Sequence, residues 1–263
     1  MELRKSLIGM IHVGSLPGTP RAELPVAQLI DIASEEAKIL SASGFDGIIL
    51  ENMHDRPYVH GAQDPAVVAA MAVIVARVRE MTDLPLGVQV LSGGNREAIA
   101  IAHAAGASFV RCENFVYAHV ADEGLLERAE AGGLLRYRRT IGAEDVRVFC
   151  DIQKKHASHA LTADLSLADL GHAAEFFGAD GLIVTGGFTG RPARVDDLIE
   201  VRRGSSLPLL VGSGVTPENA AAMLEHADAV IVGSWIKKDG LWSNGIDSAR
   251  CELMAAAVDA ARG

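Results

Sequence analysis

Features that mark secreted, membrane-spanning or cysteine-stabilised proteins are scarce in this sequence. The three cysteines, Cys112, Cys150 and Cys251, are widely spaced and form no C-x-x-C pair, which argues against a disulfide framework or a thiolate metal site. The longest apolar run, Ala66–Ala76, is too short for a membrane span and ends at Arg77. No apolar stretch followed by a small-residue cleavage site opens the chain. We therefore expect no transmembrane segment and a location in the reducing cytoplasm.

Positive charge is also in short supply. Lys and Arg total 24 against 34 Asp and Glu, which gives a formal net charge of −10. Nucleic acids are bound by clustered Lys and Arg, so we expect no nucleic-acid partner, although one local anion site is still allowed. Apolar residues, in contrast, make up 49% of the 263 residues, enough for a large core. This length suits a single α/β barrel domain over residues 1–263.

Short apolar runs alternate with Ala-rich amphipathic segments along the chain. Most runs are continuously apolar, as expected for parallel strands that are covered on both faces. The predicted strands are Leu7–His12, Gly47–Glu51, Leu86–Leu91, Ser108–Cys112, Val146–Asp151, Gly181–Thr185, Leu209–Gly212 and Ala229–Gly233. The predicted helices are Val26–Ser43, Pro65–Met81, Arg96–Ala105, Gly124–Thr140, Ser166–Phe177, Val195–Arg203, Pro217–Glu225 and Ile246–Ala261. Eight strand-then-helix units predict a (β/α)8 TIM barrel.

The predicted connections differ in length at the two ends of this barrel. Turns from helix to strand are short, such as SGFD and TDLP. Connections from strand to helix are long and polar, such as HVGSLPGTPRAELP and NMHDRPYVHGAQD. Because TIM barrels build their sites from the loops that follow the strands, we expect the functional site at that end.

Two glycine-rich turns follow the seventh and eighth predicted strands. Gly212, Ser213 and Gly214 stand in VGSGVTPENA, and Gly233 and Ser234 stand in VGSWIK. A residue without Cβ lets a ligand reach backbone N–H groups, and these two barrel loops recurrently bind phosphate. The pair favours a phosphate or a similar anion over glycines that serve tight turns alone.

A third glycine-rich segment, VTGGFTGRP, follows the sixth predicted strand. We expect Thr185, Gly186 and Thr189 to form another wall of the same site. The predicted ligand is a small phosphorylated molecule.

Polar side chains with possible catalytic roles end other predicted strands. His12, Glu51 and Asp151 occupy such positions, where a buried charge is costly unless it is paired or ligating. We predict that all three face the reacting end of a ligand. A divalent cation held by some of these residues and His156 is conceivable, because hard ions take carboxylates and imidazole suits several metals. No ligand-spacing motif supports that cation, so the cofactor is left undefined.

The stretch CDIQKKHASH, residues 150–159, holds the densest group of reactive side chains. Lys155 and His156 are predicted acid–base or electrostatic partners, and a lysine amine beside a carbonyl substrate could also form a Schiff base. The alternative is a solvated basic loop. Strand pleating leaves the choice between Lys154 and Lys155 open.

Several segments taken together resemble the BtpA/SgcQ family. They are LIGMIHVGSLPGTP, GFDGIILENMHDRPY, GASFVRCENFV, EGLLERAEAGGLLRYRR, DIQKKHASH, GLIVTGGFTGRP, LLVGSGVTPENA and DAVIVGSWIKKDG. The resemblance covers essentially the whole chain and implies a barrel of the ribulose-phosphate-binding class. Where the family tends to carry an Arg-Asn pair after LGVQVL, this chain reads SGGN at residues 92–95.

The resemblance leaves the activity open between several functions. Family members are linked to photosystem I biogenesis or stability, and others to sugar-metabolism operons. We predict an enzyme that acts on a small phosphorylated metabolite by lyase, isomerase or glycosidic-bond chemistry. The alternatives are a non-catalytic assembly or stability factor and a metabolite sensor that keeps the phosphate site. Apolar outer helices also make a homo-oligomer plausible.

Overall fold

Eight parallel strands close into a barrel in the computed structural model, which describes residues 3–187 and 192–263. The described residues form eleven strands, eight of which belong to the barrel. In chain order they are β1 (Ser6–His12), β2 (Gly47–Glu51), β3 (Leu86–Gln89), β4 (Phe109–Cys112), β5 (His119–Ala121), β6 (Gly124–Leu126), β7 (Arg147–Asp151), β8 (Ala157–Ser158), β9 (Gly181–Val184), β10 (Leu209–Gly212) and β11 (Ala229–Val232). The barrel runs β1-β2-β3-β4-β7-β9-β10-β11 and closes where β11 pairs with β1. Each barrel strand therefore lies beside the next one along the chain, as predicted.

Helices connect the barrel strands and cover their outer side. They are α1 (Val26–Ala42), α2 (Pro65–Met81), α3 (Asn95–Ala105), α4 (Ala131–Thr140), α5 (Leu167–Phe176), α6 (Val195–Gly204), α7 (Pro217–Leu224) and α8 (Ser248–Arg262). Short 3-10 helices occupy Ala160–Thr162, Ser234–Ile236 and Lys238–Gly240. Within the described ranges, none of the helices combines the length and the apolar character needed to cross a membrane.

Apolar side chains fill the part of the barrel interior that lies away from the C-terminal ends of the strands, which we call the lower interior. Phe109 and Phe149 pack with their ring centroids 5.3 Å apart. They need glycine beside them, because a Cβ at Gly87 would lie 2.2 Å from the Phe109 ring and one at Gly181 would lie 2.6 Å from the Phe149 ring. The lower interior is therefore a packed core and leaves no channel through the barrel.

Strand alternation continues this inward-facing row into a polar layer. Side chains of a strand point alternately to its two faces, so the residue two positions beyond an interior side chain also faces inward. Interior Met10, Ile49, Phe109 and Phe149 are followed in this way by polar residues at the strand ends. These residues are His12, Glu51, Arg111 and Asp151. The alternation thus gathers the polar groups at the C-terminal end of the barrel.

A small antiparallel sheet, absent from the prediction, covers part of this end. Strand β5 pairs with β6 and with β8, and so joins the loop after β4 to the loop after β7. The predicted helix Gly124–Thr140 is therefore wrong over its first residues, since Gly124 has φ 116° and turns a hairpin. The last helix also starts later than predicted, at Ser248, because the Asp247 side chain accepts from the backbone N–H of Arg250.

Candidate functional site

A cavity of about 160 Å³ opens among the loops that follow the barrel strands, and we call it the first cavity. Both predicted glycine turns line it, through Gly212, Ser213, Gly214, Gly233 and Ser234. His12, Glu51 and Lys155 line it as well. The structure therefore brings residues at or just after the C-terminal ends of five barrel strands, β1, β2, β7, β10 and β11, to one pocket.

The glycine turn after β10 is held in a fixed shape. Gly214 has φ 63°, a left-handed conformation that glycine adopts without strain. The Asn219 side chain accepts from the Thr216 N–H at 2.9 Å and donates to the Gly214 carbonyl at 2.9 Å. Helix α7 starts immediately afterwards at Pro217. An anion at this turn meets rigid backbone at the positive end of a helix.

Absence of a side chain matters most at Gly212 and Gly233. A Cβ at Gly212 would lie 3.1 Å from Ile183 Cγ2 and 3.4 Å from Arg111 Nη1. A Cβ at Gly233 would lie 3.1 Å from His12 Nε2. Both positions thus keep polar side-chain atoms open to a ligand.

The third predicted wall lies beside the first cavity and is tied to it by hydrogen bonds. The Gly186 N–H donates to Ser213 Oγ at 3.1 Å, and the Thr185 hydroxyl donates to the Gln153 carbonyl at 3.1 Å. Both polar groups therefore have protein partners. Their direct contact with phosphate stays a prediction, and Thr189 lies outside the described residues.

Arg111 is the cation of the first cavity. It ends β4 and forms a two-point ion pair with Asp151 at the end of β7, with Nε–Oδ1 at 3.0 Å and Nη2–Oδ2 at 3.1 Å. The side chains are only 3% and 1% exposed. Asp151 does not line the first cavity in the described structure, since both of its oxygens face the guanidinium. The predicted role of Asp151 at the reacting end of a ligand stays a prediction. In the structure, its two carboxylate oxygens hold the Arg111 guanidinium in place.

His12 has a defined tautomer. Its Nδ1 lies 2.7 Å from the Trp242 carbonyl, which can only accept, so Nδ1 carries the hydrogen. Burial, followed by the charge of Lys237, lowers the pKa of His12 well below its usual value. The imidazole is then neutral at pH 7, and its bare Nε2 faces the Gly233 turn and lies 3.8 Å from Glu51 Oε2.

Glu51 carries an oxygen with no hydrogen-bond partner in the described part of the chain. The residue is 1% exposed, and its buried Oε1 has no partner there. Gln89 pairs with Glu51 in strand register, and its two side-chain amide atoms are also buried and have no partner among the described residues. Since unpaired buried polar atoms are costly, this edge of the layer is suited to a polar ligand group.

The two adjacent lysines take different positions. Lys154 Nζ lies 2.8 Å and 3.0 Å from the two Glu123 carboxylate oxygens. Lys155 lines the first cavity, and its amine makes no hydrogen bond or ion pair with any other described residue. The choice between the lysines that the sequence leaves open is thus decided by position: Lys155 faces the site of the glycine turns.

A second cavity of about 290 Å³ adjoins the first. Glu51, Met53 and Lys155 line both cavities, so they mark the junction. The second cavity is otherwise lined by residues of the loops after β2, β3, β4, β7 and β11, including Arg56, Tyr58, Glu113, Lys154, His156 and Trp242.

Glu113 is the most perturbed acid of the second cavity. Burial raises its pKa to about 7, against the opposing charge of Lys154, whose Nζ lies 3.9 Å from Glu113 Oε2. The same oxygen accepts from the Gly93 N–H at 3.0 Å. The segment SGGN, where this chain departs from the pattern of the family it resembles, thus holds the acid in place.

His156 lies at the outer rim of the second cavity. Its Nδ1 is 3.8 Å from Asp122 Oδ2, its side chain is 38% exposed, and burial lowers its pKa. Its predicted acid–base role stays a prediction.

The four residues considered for a divalent cation are not gathered around one point. Asp151 is used by Arg111, and His156 lies at the rim beside Asp122. Over residues 3–187 and 192–263 there is no group of three or more His, Cys, Asp or Glu side chains that could hold a metal ion.

Sequence reasoning missed two parts of this site. Arg111 is not among the residues that the sequence predicts for the site, because its ion pair with Asp151 joins residues 40 positions apart. The carbonyl of Trp242 left no signal in the sequence, since it is a backbone group.

Fold and site together define a (β/α)8 barrel with a pocket at the C-terminal ends of its strands, lined by Arg111 and two glycine turns. The family model described as BtpA family matches residues 3–260, and the chain belongs to this family. A Caenorhabditis elegans protein named as uncharacterized and mitochondrial is 42% identical over 94% of this chain and 90% of its own length. The Photosystem I biogenesis protein BtpA of Synechocystis is 36% identical over 98% of this chain and 89% of its own.

Solved structures agree on the fold. The (S)-3-O-geranylgeranylglyceryl phosphate synthase of Thermoplasma acidophilum, in complex with its substrate sn-glycerol-1-phosphate, has a TM-score of 0.62. The match covers 97% of this chain and 93% of that chain at 15% identity, so it shows the fold alone. The family and the barrel predicted from the sequence are both confirmed.

Proposed function

We propose that this chain is an enzyme that acts on a small phosphorylated metabolite, bound through its phosphate in the first cavity. The observation that carries the proposal is Arg111, a buried guanidinium fixed by Asp151 with Nη1 beside the Gly212 turn. A planar, always-charged guanidinium suits phosphate oxygens. The Thermoplasma acidophilum synthase, a barrel of the same kind, acts on a small phosphate ester, which agrees in ligand class.

The proposed phosphate would rest between Arg111 and the backbone of the two glycine turns. Its task is positional, because a non-reacting phosphate supplies binding energy that orients the rest of the ligand. The remainder of the molecule then extends past Glu51 and Lys155 toward the second cavity, since those two residues line both spaces.

Proton transfer is the chemistry that the surrounding groups favour. Neutral His12 presents an unprotonated Nε2 to the cavity, and Glu51 presents an unpaired carboxylate oxygen. Either group is suited to take a proton from a carbon or hydroxyl of the ligand, since a general base must be unprotonated at the working pH. A lyase or an isomerase reaction fits these groups.

Calorimetric titration with inorganic phosphate and with sn-glycerol-1-phosphate tests the binding step. Arg111→Met should weaken both ligands about 10–150-fold, because a hydrogen bond to a charged group contributes about 1.5–3 kcal/mol. Gly233→Ala should also weaken them, since the new methyl would crowd His12 Nε2 at 3.1 Å.

Gly133→Ala is the matched control for Gly233→Ala. It adds the same methyl in helix α4, where a Cβ would meet no atom within 4 Å. We expect unchanged affinity for both ligands in this variant. If the unaltered chain binds neither ligand, or if Arg111→Met binds them as tightly, the phosphate site is refuted. Turnover is sought by phosphorus NMR on a panel of phosphorylated metabolites, with His12→Gln as the variant expected to bind without reacting.

A second candidate function, partner binding without turnover, is favoured by one surface feature. Val120 and Leu125 are neighbours on the small sheet, with 43% and 57% of their surfaces exposed, and the relative in Synechocystis is named for photosystem I biogenesis. Complementation separates the candidates, because an assembly role survives His12→Gln but is lost in Val120→Ser/Leu125→Ser. An enzymatic role gives the opposite result.

A further inference from the structure

Lys155 differs from the buried lysines of the described chain, Lys154 and Lys237. Lys154 lies 2.8 Å from Glu123, and Lys237 lies 3.0 Å from Glu36. The Lys155 amine has no such partner among the described residues, and its half-buried side chain lies where the two cavities meet.

The surroundings of Lys155 favour an uncharged amine. A buried ammonium group without a carboxylate partner is costly, so burial shifts lysine toward its neutral form. Burial is the largest influence on Lys155 and lowers its pKa, although the Glu51 carboxylate opposes the shift. A neutral amine carries the lone pair that a nucleophile needs.

We propose that Lys155 is a nucleophile that forms a Schiff base with a phosphorylated aldehyde or ketone, whose carbonyl carbon lies at the junction of the two cavities. The inference rests on the proposed function for the phosphate site and adds the substrate class and the covalent step. The first cavity holds the phosphate, and the second cavity holds whatever extends beyond the carbonyl group.

The size of the two spaces agrees with this division. Small-molecule sites usually measure about 300–1,000 Å³, and the first cavity alone, at about 160 Å³, is below that range. Together with the adjoining second cavity of about 290 Å³, the first cavity reaches that range. A ligand larger than a phosphate ester of minimal size therefore has to pass Lys155.

Side chains of the site can supply and accept every proton that the covalent step moves. The Lys155 lone pair attacks the carbonyl carbon, the new C–N bond forms, and the carbonyl π electrons move to oxygen, which takes up a proton to become a hydroxyl group. The nitrogen gives one proton to His12 Nε2, which is unprotonated, and His12 passes this proton to the carbonyl oxygen. The hydroxyl group then leaves as water on protonation by Glu113, which lines the second cavity with Lys155 and whose pKa of about 7 lets it carry a proton. The second N–H proton then passes from the iminium nitrogen to the Glu113 carboxylate, which restores that acid. The products are one water molecule and the imine, and no oxidant or reductant is consumed.

Borohydride reduction in the presence of a carbonyl substrate tests the proposal. The probes are dihydroxyacetone phosphate, glyceraldehyde 3-phosphate and ribose 5-phosphate, each incubated with the full chain before reduction. We expect intact-mass spectra to show one reduced adduct per chain for at least one probe. Fragment spectra should place it on Lys155 rather than Lys154, and excess inorganic phosphate should suppress it.

Three variants control for unspecific labelling and for misfolding. Lys155→Met removes the amine, and Lys155→Arg keeps a cation but cannot form an imine, so both should lose the adduct. Lys38→Met removes an exposed amine from α1 and should keep it. Circular dichroism confirms that each variant is folded, and Lys155→Arg serves if Lys155→Met is not.

The outcomes separate the two proposals. Absence of an adduct with all three probes, or an adduct that persists in Lys155→Arg or maps to another lysine, overturns the Schiff base even if inorganic phosphate binds normally. Trapping on Lys155 that excess inorganic phosphate fails to suppress, together with no calorimetric phosphate binding, supports the nucleophile and refutes the phosphate site.

Discussion

The ion pair between Arg111 and Asp151 gives the sharpest stability prediction. Asp151→Asn keeps the shape of the side chain but removes its charge and turns an amide donor toward the guanidinium. The arginine is 3% exposed and has no other carboxylate within 4.0 Å in the described structure, so its charge stays buried without compensation. Removing one partner of a buried pair costs about 3–5 kcal/mol. For a chain of this size the loss corresponds to a midpoint about 6–20 °C lower.

Urea denaturation followed by circular dichroism measures this loss, and a double-mutant cycle isolates its origin. Arg111→Met should also destabilise the chain, but the double variant should lose less than the sum of the two single losses, because neither charge is then left unpaired. Losses that add within about 0.5 kcal/mol would refute the coupling. Glu35→Gln is the matched surface control: its pair with Lys38 is more than half exposed, so we expect a change below about 1 kcal/mol.

Added phosphate links this stability effect to the proposed site. A ligand that binds only the folded chain stabilises it by about 2.7 kcal/mol at a hundred times its dissociation constant. In Asp151→Asn the phosphate would also neutralise the unpaired guanidinium. We therefore expect inorganic phosphate to restore part of the lost stability in Asp151→Asn and a clearly smaller part in Arg111→Met. Equal behaviour of the two variants would contradict the placement of phosphate at Arg111.

Two further predictions concern buried groups around the site. Burial raises the pKa of Glu113 from 4.5 to about 7, so folding takes up a proton in that interval. The stability that this carboxyl group contributes should decline as pH rises from about 4.5 to about 7, and urea titrations across that range should show a flatter profile in Glu113→Gln; an unchanged profile contradicts the shift. Lys237→Met leaves Glu36 without its cation at 3.0 Å and should cost about 3–5 kcal/mol in the same assay, whereas the double variant Lys237→Met/Glu36→Gln should recover part of that loss.

The barrel could be predicted from sequence because its signals are local. Most barrel strands are continuous apolar runs between polar loops, and parallel strands in consecutive order follow from the helices between them. The glycine turns were placed at one site for the same reason, since β10 and β11 are neighbours by topology. The small sheet was missed because its strands have three residues or fewer, and GLLERAEAGGLLRYRR has helical spacing of its leucines.

The contacts within the site follow from packing that the sequence does not express. The ion pair between Arg111 and Asp151 needs the register of β4 against β7, in which Cys112 pairs with Cys150. The tautomer of His12 depends on a backbone carbonyl 230 positions away. The sequence could therefore suggest which residue types gather at the barrel end, but it could not assign which carboxylate neutralises a cation and which is left for a ligand.

That assignment resolves an apparent conflict between an anionic ligand and a chain of net charge −10. Charges separated by more than about 8 Å are largely screened at physiological ionic strength, so the acidic surface has little influence on the bottom of a pocket. Inside it, Asp151 is already used by Arg111, and the glycine backbone adds donors without adding charge. At the junction, Glu51 Oε1 and the Lys155 amine both lack a hydrogen-bond partner among the described residues. The site thus has two parts. In the first, Arg111 and Asp151 balance each other's charge before a ligand binds. In the second, Glu51 and Lys155 are left to exchange protons with the ligand.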